Sequence, residues 1–309
     1  MLQRFWIYQH ERFPLLTQGG LIALLSLCGV SFSFLLRGAA HDTVPRSAVW
    51  TPHFINSILV AFIGALGFFF LLRVADEFKD YADDLTYRPY RAVPRGLVSL
   101  RELAWLSGGV IIVQFGLTVW LSPSLLWPLL LVLGYVGLMR QEFFVRDWLK
   151  RHALIYMLSH MLIMPLIFLY ITACDWLVAG APPPVGLGWF LIVGFFNGIV
   201  FEAGRKIRAP QDEEAGVETY SKLWGRRTAV FVWLLAILLT GICAALAARS
   251  INFSLPFITL TIILLTVGLV LGEYFLRNPL LLYAKHLQTF SSICTLVFYI
   301  SLGLPLFVG

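Results

Sequence analysis

Long apolar runs alternate along the chain with short polar segments, most of which contain arginine. A helix that crosses the hydrocarbon core of a bilayer needs about 20 apolar residues. Nine segments approach that length, with approximate limits 15–36, 52–75, 103–121, 123–139, 153–174, 184–204, 228–248, 255–275 and 287–308. The pattern therefore predicts an all-α polytopic membrane protein with about nine transmembrane helices.

Composition supports this fold class. Hydrophobic residues make up 59% of the chain and charged residues 13%, whereas a soluble domain carries about 25% charged residues. A soluble domain could not cover that much apolar surface. No segment separates a soluble part from the membrane part, so we expect one transmembrane domain over residues 1–309. The formal charge of +6 is read as a determinant of orientation, and no nucleic-acid partner is expected.

The basic residues are distributed unequally between the two sides of the predicted bundle. The N-terminus and the connections after the even-numbered segments hold 20 of the 23 Lys and Arg residues, and the other side holds Arg37, Arg46 and Arg249. Cytoplasmic loops carry the excess of Lys and Arg. We therefore expect a multi-pass protein surrounded by membrane lipids, with a cytoplasmic N-terminus and a C-terminus on the outer side; the bacterial inner membrane is the expected location.

An acidic row follows the second apolar segment. Asp76, Asp80 and Asp84 repeat every four residues, and Glu77 lies three residues before Asp80. On a helix this spacing places the side chains on one face, where like charges repel each other. Magnesium ions would neutralise the row, because Mg²⁺ prefers carboxylates together with substrate phosphates. The alternative is a solvated helix end whose carboxylates pair with neighbouring basic side chains.

The segment 88–96, Arg-Pro-Tyr-Arg-Ala-Val-Pro-Arg-Gly, comes directly after this row. Row and segment together resemble the first signature of the UbiA superfamily of intramembrane prenyltransferases. That signature reads Asn-Asp-x-x-Asp-x-x-x-Asp, followed by an Arg-Pro-x-Arg-Pro-Ile-Pro-x-Gly-like segment. The resemblance extends over nearly the whole chain, since members also have nine helices and a site on the cytoplasmic side. It implies a UbiA-like helical bundle.

The resemblance implies roles for the row. Glu77, Asp80 and Asp84 would hold Mg²⁺ on a prenyl diphosphate, and Asp76 takes the position of the family's Asn. Two departures from the family pattern are visible, because Asp76 replaces Asn and Glu77 replaces Asp. Both keep an oxygen ligand and make the site more negative. Arg88 and Arg91 would complete the cradle for the diphosphate.

The family's second acidic motif is matched less closely. Asp212, followed by Gly216 and Thr219, resembles the end of that motif, but the expected Asp-x-x-x-Asp face is here Glu202-x-x-x-Lys206. Glu202 and Asp212 are candidate metal ligands. A lysine cannot ligate Mg²⁺ but can contact a diphosphate oxygen directly. The alternative is a plain i,i+4 ion pair between Glu202 and Lys206, with the second metal absent.

Three further candidates lie between the two motifs. The resemblance implies that Tyr135 and Arg140, with Arg146 as a weaker candidate, grip the diphosphate; the alternative is an ordinary cluster of positive charge on the cytoplasmic side. His160 lies inside the fifth apolar segment, where an ionisable residue is a functional hypothesis by default. It could orient a polar acceptor or remove a proton; the alternative is a neutral histidine hydrogen-bonded between helices.

Taken together, these residues predict a Mg²⁺-dependent intramembrane prenyltransferase with a prenyl diphosphate as donor. The catalytic candidates are Asp80, Asp84 and His160. The sequence does not identify the acceptor, and aromatic molecules and lipids are both handled within the family. Two alternatives stay open: a UbiA-type terpene cyclase that needs no acceptor, and a non-catalytic isoprenoid-binding membrane protein.

Overall fold

The computed structural model describes residues 2–41, 51–303 and 305–308 of the 309-residue chain. These residues form helices joined by turns, and Arg46 lies outside them. The helices are α1 Leu2–Arg12, α2 Leu15–His41, α3 Pro52–Lys79, α4 Tyr81–Tyr87, α5 Leu100–Leu121, α6 Leu126–Arg140, α7 Arg146–Arg151, α8 Ala153–Met161, α9 Ile163–Trp176, α10 Leu187–Lys206, α11 Tyr220–Leu223, α12 Arg226–Arg249, α13 Ser254–Arg277, α14 Leu281–Gly303 and α15 Pro305–Val308. Short 3₁₀ turns occupy Pro123–Leu125, Glu142–Phe144 and Pro210–Asp212.

Within the described ranges, eight helical segments are long and apolar enough to cross a membrane. They coincide with the first eight predicted segments, which confirms an all-α polytopic membrane protein. The ninth predicted segment is also helical, as α14 and α15, but α14 is not among the eight. The count of nine is therefore approximate. Large apolar side chains such as Trp105, Ile112 and Leu255 are exposed on these helices, as expected for surfaces that face lipid.

The chain divides into two compact units, which are described separately. Unit 1 comprises Met1–Val30, Pro45–His152 and Leu169–Pro182, and unit 2 comprises Ser31–Val44, Ala153–Phe168 and Pro183–Gly309. The expectation of a single domain over residues 1–309 stays a prediction. The acidic row and the segment 88–96 belong to unit 1, whereas the second motif belongs to unit 2.

In unit 1, α3 packs closely against α5 and α6. Gln114 Nε2 of α5 donates a hydrogen bond of 2.8 Å to the Gly64 carbonyl of α3. A Cβ at Gly67 would lie only 2.6 Å from the same Gln114 amide nitrogen. Small residues let helix backbones approach in a membrane, where a buried amide must find a partner. This contact fixes α3, the helix that carries the acidic row.

In unit 2, α10 packs against α12 and α14, and α12 against α13. Trp233 Nε1 donates to Ser291 Oγ at 2.8 Å, and Thr295 Oγ1 donates to Asn197 Oδ1 at 3.1 Å. Gly204 leaves no room for a Cβ beside Ser291. Close backbone approach and interhelical hydrogen bonds therefore hold the helix that ends in the second motif.

Candidate functional site

The acidic row lies where α3 ends. The sequence predicted one continuous helical face, but the helix is interrupted at Asp80, whose φ of −94° and ψ of 4° place it outside the helical region. The i→i−4 hydrogen bonding nevertheless continues: the Asp80 N–H donates to the Asp76 carbonyl at 2.9 Å and the Asp84 N–H donates to the Asp80 carbonyl at 2.8 Å. The one-turn spacing of Asp76, Asp80 and Asp84 is therefore kept although α3 ends at Lys79.

Asp80 differs from its acidic neighbours. Its side chain is half-buried and makes neither a hydrogen bond nor an ion pair with the described residues. Burial raises the pKa of this carboxyl; Lys79 opposes the shift, and the charges of Asp76 and Asp84 add to it. A desolvated carboxylate with acidic neighbours favours a bound cation, because a cation would offset both effects.

Asp84 is buried and pairs with two arginines. Arg88 Nη2 lies 2.8 Å from Asp84 Oδ1, and Arg91 Nη1 donates to Asp84 Oδ2 at 2.8 Å. The two guanidinium groups are thus oriented by one carboxylate. The buried Arg88 Nε has no hydrogen-bond partner in the described part of the chain, so a donor remains for a further anion.

The segment 88–96 is a compact run of turns. The Gly96 N–H donates to the Val93 carbonyl at 3.0 Å, and the Leu97 N–H donates to the Ala92 carbonyl at 3.0 Å. Gly96 has a φ of +77°, which a residue without a Cβ adopts freely. Ala92 and Val93 are buried in a small core with Tyr8 of α1. This packing holds the loop that carries Arg88 and Arg91.

The other two carboxylates of the row have unlike surroundings. Glu77 is buried, and Arg12 Nε of α1 donates to its Oε1 at 2.6 Å. Asp76 is exposed over 45% of its side chain and lies 3.3 Å from Lys79 Nζ. The two residues occupy neighbouring sequence positions, yet Glu77 is itself buried and pairs with a distant helix, whereas Asp76 is itself half-exposed and pairs within its own helix.

The acidic row can hold a metal ion only in part. Within the described ranges, no three acidic, histidine or cysteine side chains converge closely enough to hold an ion by themselves. Mg²⁺ is, however, usually bound through one or two carboxylates, with waters and substrate phosphates completing its shell. Asp80 fits that role, because its half-buried carboxylate has no cationic partner in the part of the chain that the structure describes. The residues present therefore fit an ion shared with a phosphate group.

A cavity of about 280 Å³ opens next to the end of α3. Its lining residues are Phe78, Lys79, Arg140, Gln141, Glu142 and Arg146. The Arg140 guanidinium lies over the Phe78 ring, 4.4 Å from its centroid. The ring holds one face of this cation, and the other face is left for an anion. Tyr135 packs edge-on against Phe143 with ring centroids 5.5 Å apart and is not among the lining residues.

The wall of this cavity contains an unusual turn. Glu142, Phe143 and Phe144 have φ angles of 50°, 52° and 61°, a left-handed conformation that costs non-glycine residues about 1–3 kcal/mol each. The turn places buried Glu142 3.5 Å from Lys79 Nζ. Strained backbone of this kind often marks functional sites, and here it fixes a charged pair at the cavity.

The second motif in unit 2 is internally paired. Arg205 Nη2 lies 2.8 Å from Glu202 Oε2, and Lys206 Nζ lies 3.1 Å from Glu202 Oε1. Lys206 Nζ also lies over the Tyr220 ring at 5.1 Å. The i,i+4 pair that the sequence analysis considered is therefore formed. Asp212 Oδ2 lies 3.6 Å from Arg208 Nη1, so this predicted ligand also has a basic neighbour.

Tyr220 lies beside this charged cluster and is buried. Burial raises the pKa of the Tyr220 phenol, and the nearby Glu202 charge adds to the effect. The ring stacks on Trp224 with centroids 4.3 Å apart. The phenol therefore stays neutral while its ring face supports the Lys206 cation.

The sequence matches a protein-family model. The model described as the UbiA prenyltransferase family matches residues 43–281. The chain belongs to this family. Curated protein sequences give no significant match.

Solved structures show the same UbiA fold. A UbiA homologue from Aeropyrum pernix K1, in its apo form, is 14% identical with a TM-score of 0.63, and the match covers 91% of this chain and 95% of that one. A digeranylgeranylglyceryl phosphate synthase is 15% identical with a TM-score of 0.58, over 93% and 98% of the two chains. A UbiA homologue from Archaeoglobus fulgidus bound to DMAPP and Mg²⁺ is 12% identical with a TM-score of 0.54, over 93% and 97%.

His160 is the remaining candidate from the sequence analysis of this UbiA chain. Its segment was predicted as one helix, but the structure has two, α8 and α9, so His160 lies near the end of α8. It is buried, and its ring stacks on Tyr156 with centroids 3.9 Å apart. Nδ1 lies 2.8 Å from the Tyr156 carbonyl. Because a carbonyl only accepts, Nδ1 carries a proton, and Nε2 is the basic nitrogen of the neutral ring.

Three residues at the UbiA site were missed by the sequence analysis: Arg12, Lys79 as a cavity residue, and Glu142. Lys79 directly precedes Asp80, so its position was readable. Glu142 follows Arg140 within a polar connection, and its charge was a usable signal. Nothing in the local sequence of Arg12 indicates that it pairs with a residue 65 positions away.

Proposed function

We propose that this UbiA family member is a Mg²⁺-dependent intramembrane prenyltransferase, which moves a prenyl group from a prenyl diphosphate to an acceptor. The observation that carries the proposal is Asp80, a half-buried carboxylate without a cationic partner in the described residues. It lies four residues before Asp84, which orients Arg88 and Arg91. An available anion and two oriented cations are what a metal-bound diphosphate requires.

The proposed donor site uses the cations of unit 1. Arg88 and Arg91, held by Asp84, would bind diphosphate oxygens through their remaining N–H groups. Arg140, held by Phe78 at the cavity, would add a third positive charge. Held in advance, these cations stabilise the leaving group without reorganising, which is how preorganised electrostatics lower a barrier.

Asp80, with Asp76 as a second carboxylate, would hold Mg²⁺, and the ion would supply Lewis-acid stabilisation of the departing diphosphate. In the reaction, the bond between the allylic carbon and the diphosphate oxygen breaks, and the electron pair leaves with oxygen. A nucleophilic atom of the acceptor then forms a bond to that carbon and loses a proton. Nε2 of His160 is the proposed base for that proton, since the Nδ1–H is engaged with a backbone carbonyl.

Other predicted roles remain part of the proposal. Lys206 would contact a diphosphate oxygen, Tyr135 would assist in donor binding, and Glu202 and Asp212 would act as further metal ligands. The chain is an integral membrane protein with several spans. A cytoplasmic N-terminus, an outer C-terminus and the bacterial inner membrane are proposed from the distribution of basic residues.

Product analysis tests this function. The purified protein is incubated with allylic prenyl diphosphates of several chain lengths, with Mg²⁺ or with EDTA, and with aromatic acceptors, lipid acceptors or none. If the protein is a transferase, diphosphate should be released with Mg²⁺ but not with EDTA. The product should then contain both the prenyl chain and the acceptor. A cyclic hydrocarbon formed without acceptor would identify a terpene cyclase. No diphosphate release under any condition would favour an isoprenoid-binding protein and contradict the proposal.

A further inference from the structure

We propose that Arg12 of α1 is a positioning residue that holds Glu77 as its counterion and thereby keeps this carboxylate out of the metal site. The chain would thus supply its own cation at one position of the acidic row. The inference rests on the proposed function, since it assigns roles within the same metal site. The N-terminal helix would then determine which carboxylates of the row are available to the metal ion.

The contact itself is strong. Arg12 Nε lies 2.6 Å from Glu77 Oε1, and the Glu77 side chain is exposed over only 1% of its surface, that of Arg12 over 14%. Because both groups are nearly buried, removing either partner would leave an uncompensated buried charge, so the pair is costly to break. Because Glu77 is almost sealed from solvent, a metal ion could reach it only by displacing the guanidinium.

Arg12 is held in place by the rest of α1. Glu11 pairs with Arg95 at 2.8 Å, and Arg4 pairs with Glu102 at 3.0 Å. Both pairs are at least partly exposed, so each adds little to the stability of the protein. They nevertheless connect α1 to two further points of unit 1, Arg95 and Glu102. Tyr8, one turn before Arg12, is buried in the small core beneath the segment 88–96.

Tyr8 is a second sign that α1 faces the charged end of α3. Its side chain is 3% exposed, and its hydroxyl has no hydrogen-bond partner within the described residues. The charges of Glu77, Arg12, Arg73 and Asp76 all act on this phenol. Tyr8 and Arg12 are four residues apart and share one face of α1, so this face of the helix is directed at the acidic row.

The four carboxylates of the acidic row differ in their cationic partners. Asp80 has no cationic partner among the described residues, Asp76 is half-exposed beside Lys79, and Asp84 forms ion pairs with two arginines that follow it. Glu77 alone is paired with a helix far away in sequence. The longer side chain of glutamate, where the family pattern has aspartate, gives the carboxylate more reach towards α1. The carboxylates left for the metal ion are then Asp80 and Asp76, while Asp84 stays with its two arginines.

Metal titration tests the inference without relying on turnover. Mn²⁺, which accepts the same oxygen ligands as Mg²⁺, is added to the purified full-length chain, and bound Mn²⁺ is measured by electron paramagnetic resonance. Glu77→Gln should bind Mn²⁺ within about twofold of the native affinity, because it loses no ligand. Arg12→Gln should bind about tenfold more tightly, since it frees a carboxylate, and Arg12→Gln/Glu77→Gln should return to the native value.

Control variants separate positioning from folding. Arg12→Lys keeps the charge and should retain native Mn²⁺ affinity. Glu11→Gln removes an exposed pair of the same helix and should change nothing in the titration. Thermal unfolding identifies variants that lose the fold, and Glu77→Gln alone decides the question if Arg12→Gln does not fold.

The outcomes are distinct. A loss of Mn²⁺ affinity of tenfold or more in Glu77→Gln, equal to the loss in Asp80→Asn, would show that Glu77 is a ligand and overturn the inference. Native Mn²⁺ affinity in Asp80→Asn would instead contradict the proposed function, because the site would lie elsewhere. Loss in Asp80→Asn with native affinity in Glu77→Gln is the result we expect.

Discussion

Asp84 is the residue that organises the proposed anion site, because both of its carboxylate oxygens contact arginine at 2.8 Å. Asp84→Asn keeps the size of the side chain but removes its charge. We expect the KM for the donor to rise about tenfold, since Arg88 and Arg91 lose their common anchor. The free energy of unfolding should fall by about 3 kcal/mol, because a buried pair is broken.

Steady-state kinetics and thermal unfolding in detergent measure these two effects. Asp83→Asn is the matched control, since Asp83 pairs with Lys150 at 3.3 Å and both side chains are more than 40% exposed. It should cost no more than about 1 kcal/mol and leave KM unchanged. An Asp84→Asn protein with native KM would show that the two arginines do not bind the donor.

Lys206 is the residue for which two interpretations competed. It pairs with Glu202, but Arg205 satisfies the same carboxylate, so Lys206 is not needed to neutralise it. We expect Lys206→Met to raise the KM for the prenyl diphosphate about tenfold through loss of a cationic contact. Arg205→Met should leave KM near native. Equally small changes of KM in both variants would show that Lys206 only forms an ion pair with Glu202.

For single residues, the sequence predicts those contacts that follow from spacing along one helix or loop. The row Asp76, Asp80 and Asp84 and its arginines lie within one short stretch, so their proximity follows from helical geometry. The partner of Glu77 could not be predicted in this way, because Arg12 approaches only when α1 packs beneath the segment 88–96. Such pairing depends on tertiary structure.

Among the elements, α3 has to be placed most accurately, because it carries the acidic row. A Cβ at Gly67 would lie 2.6 Å from the amide nitrogen of Gln114 on α5. Gly67→Ala should therefore lower the free energy of unfolding by about 1–3 kcal/mol, as overpacking does, and reduce turnover by displacing the row. Thermal unfolding and diphosphate release measure both effects.

Gly109 provides the matched control on α5, since a Cβ there would meet no atom within 4 Å. Gly109→Ala should be neutral or stabilise the protein by up to about 1 kcal/mol, because alanine is the better helix former. If Gly67→Ala were as harmless as Gly109→Ala, the close contact between α3 and α5 would not position the site.

The bounds of the elements show what hydropathy can and cannot predict. The second apolar segment was expected to end at 75, whereas α3 continues to Lys79, because polar residues extend a helix without an apolar signal. The fifth segment is divided between α8 and α9, and Pro165 explains this break, because it has no N–H to bond the Met161 carbonyl and its ring conflicts with that turn. The end of α3 at Asp80, by contrast, is invisible in the spacing of the carboxylates.

For the whole molecule, orientation in the membrane is the property that remains to be measured. The four native cysteines are buried, so introduced cysteines report cleanly. Lys222 and Pro183 are both exposed and are predicted to lie on opposite sides. A membrane-impermeant maleimide should label Pro183→Cys in intact cells and Lys222→Cys only after permeabilisation. The reverse pattern would invert the proposed topology.

The fold as a whole was accessible from the sequence because two independent signals agree. Apolar runs gave the spans, and the signature around Asp80 and Arg88 pointed to the UbiA family, whose model covers residues 43–281. The acceptor was not accessible, because its binding depends on cavity shape inside the helix bundle. The identity of 12–15% to solved structures transfers the fold and leaves the substrate open.

The central claim is that the acidic row binds a metal ion and through it a diphosphate. Mg²⁺-dependent diphosphate release by Asp80→Asn, compared with Asp83→Asn, tests it most directly. The Asp80 side chain makes no ion pair or hydrogen bond among the described residues, so the substitution should leave folding intact. We predict a loss of about 100-fold or more for Asp80→Asn and native release for Asp83→Asn. Native release by a folded Asp80→Asn protein would contradict the account.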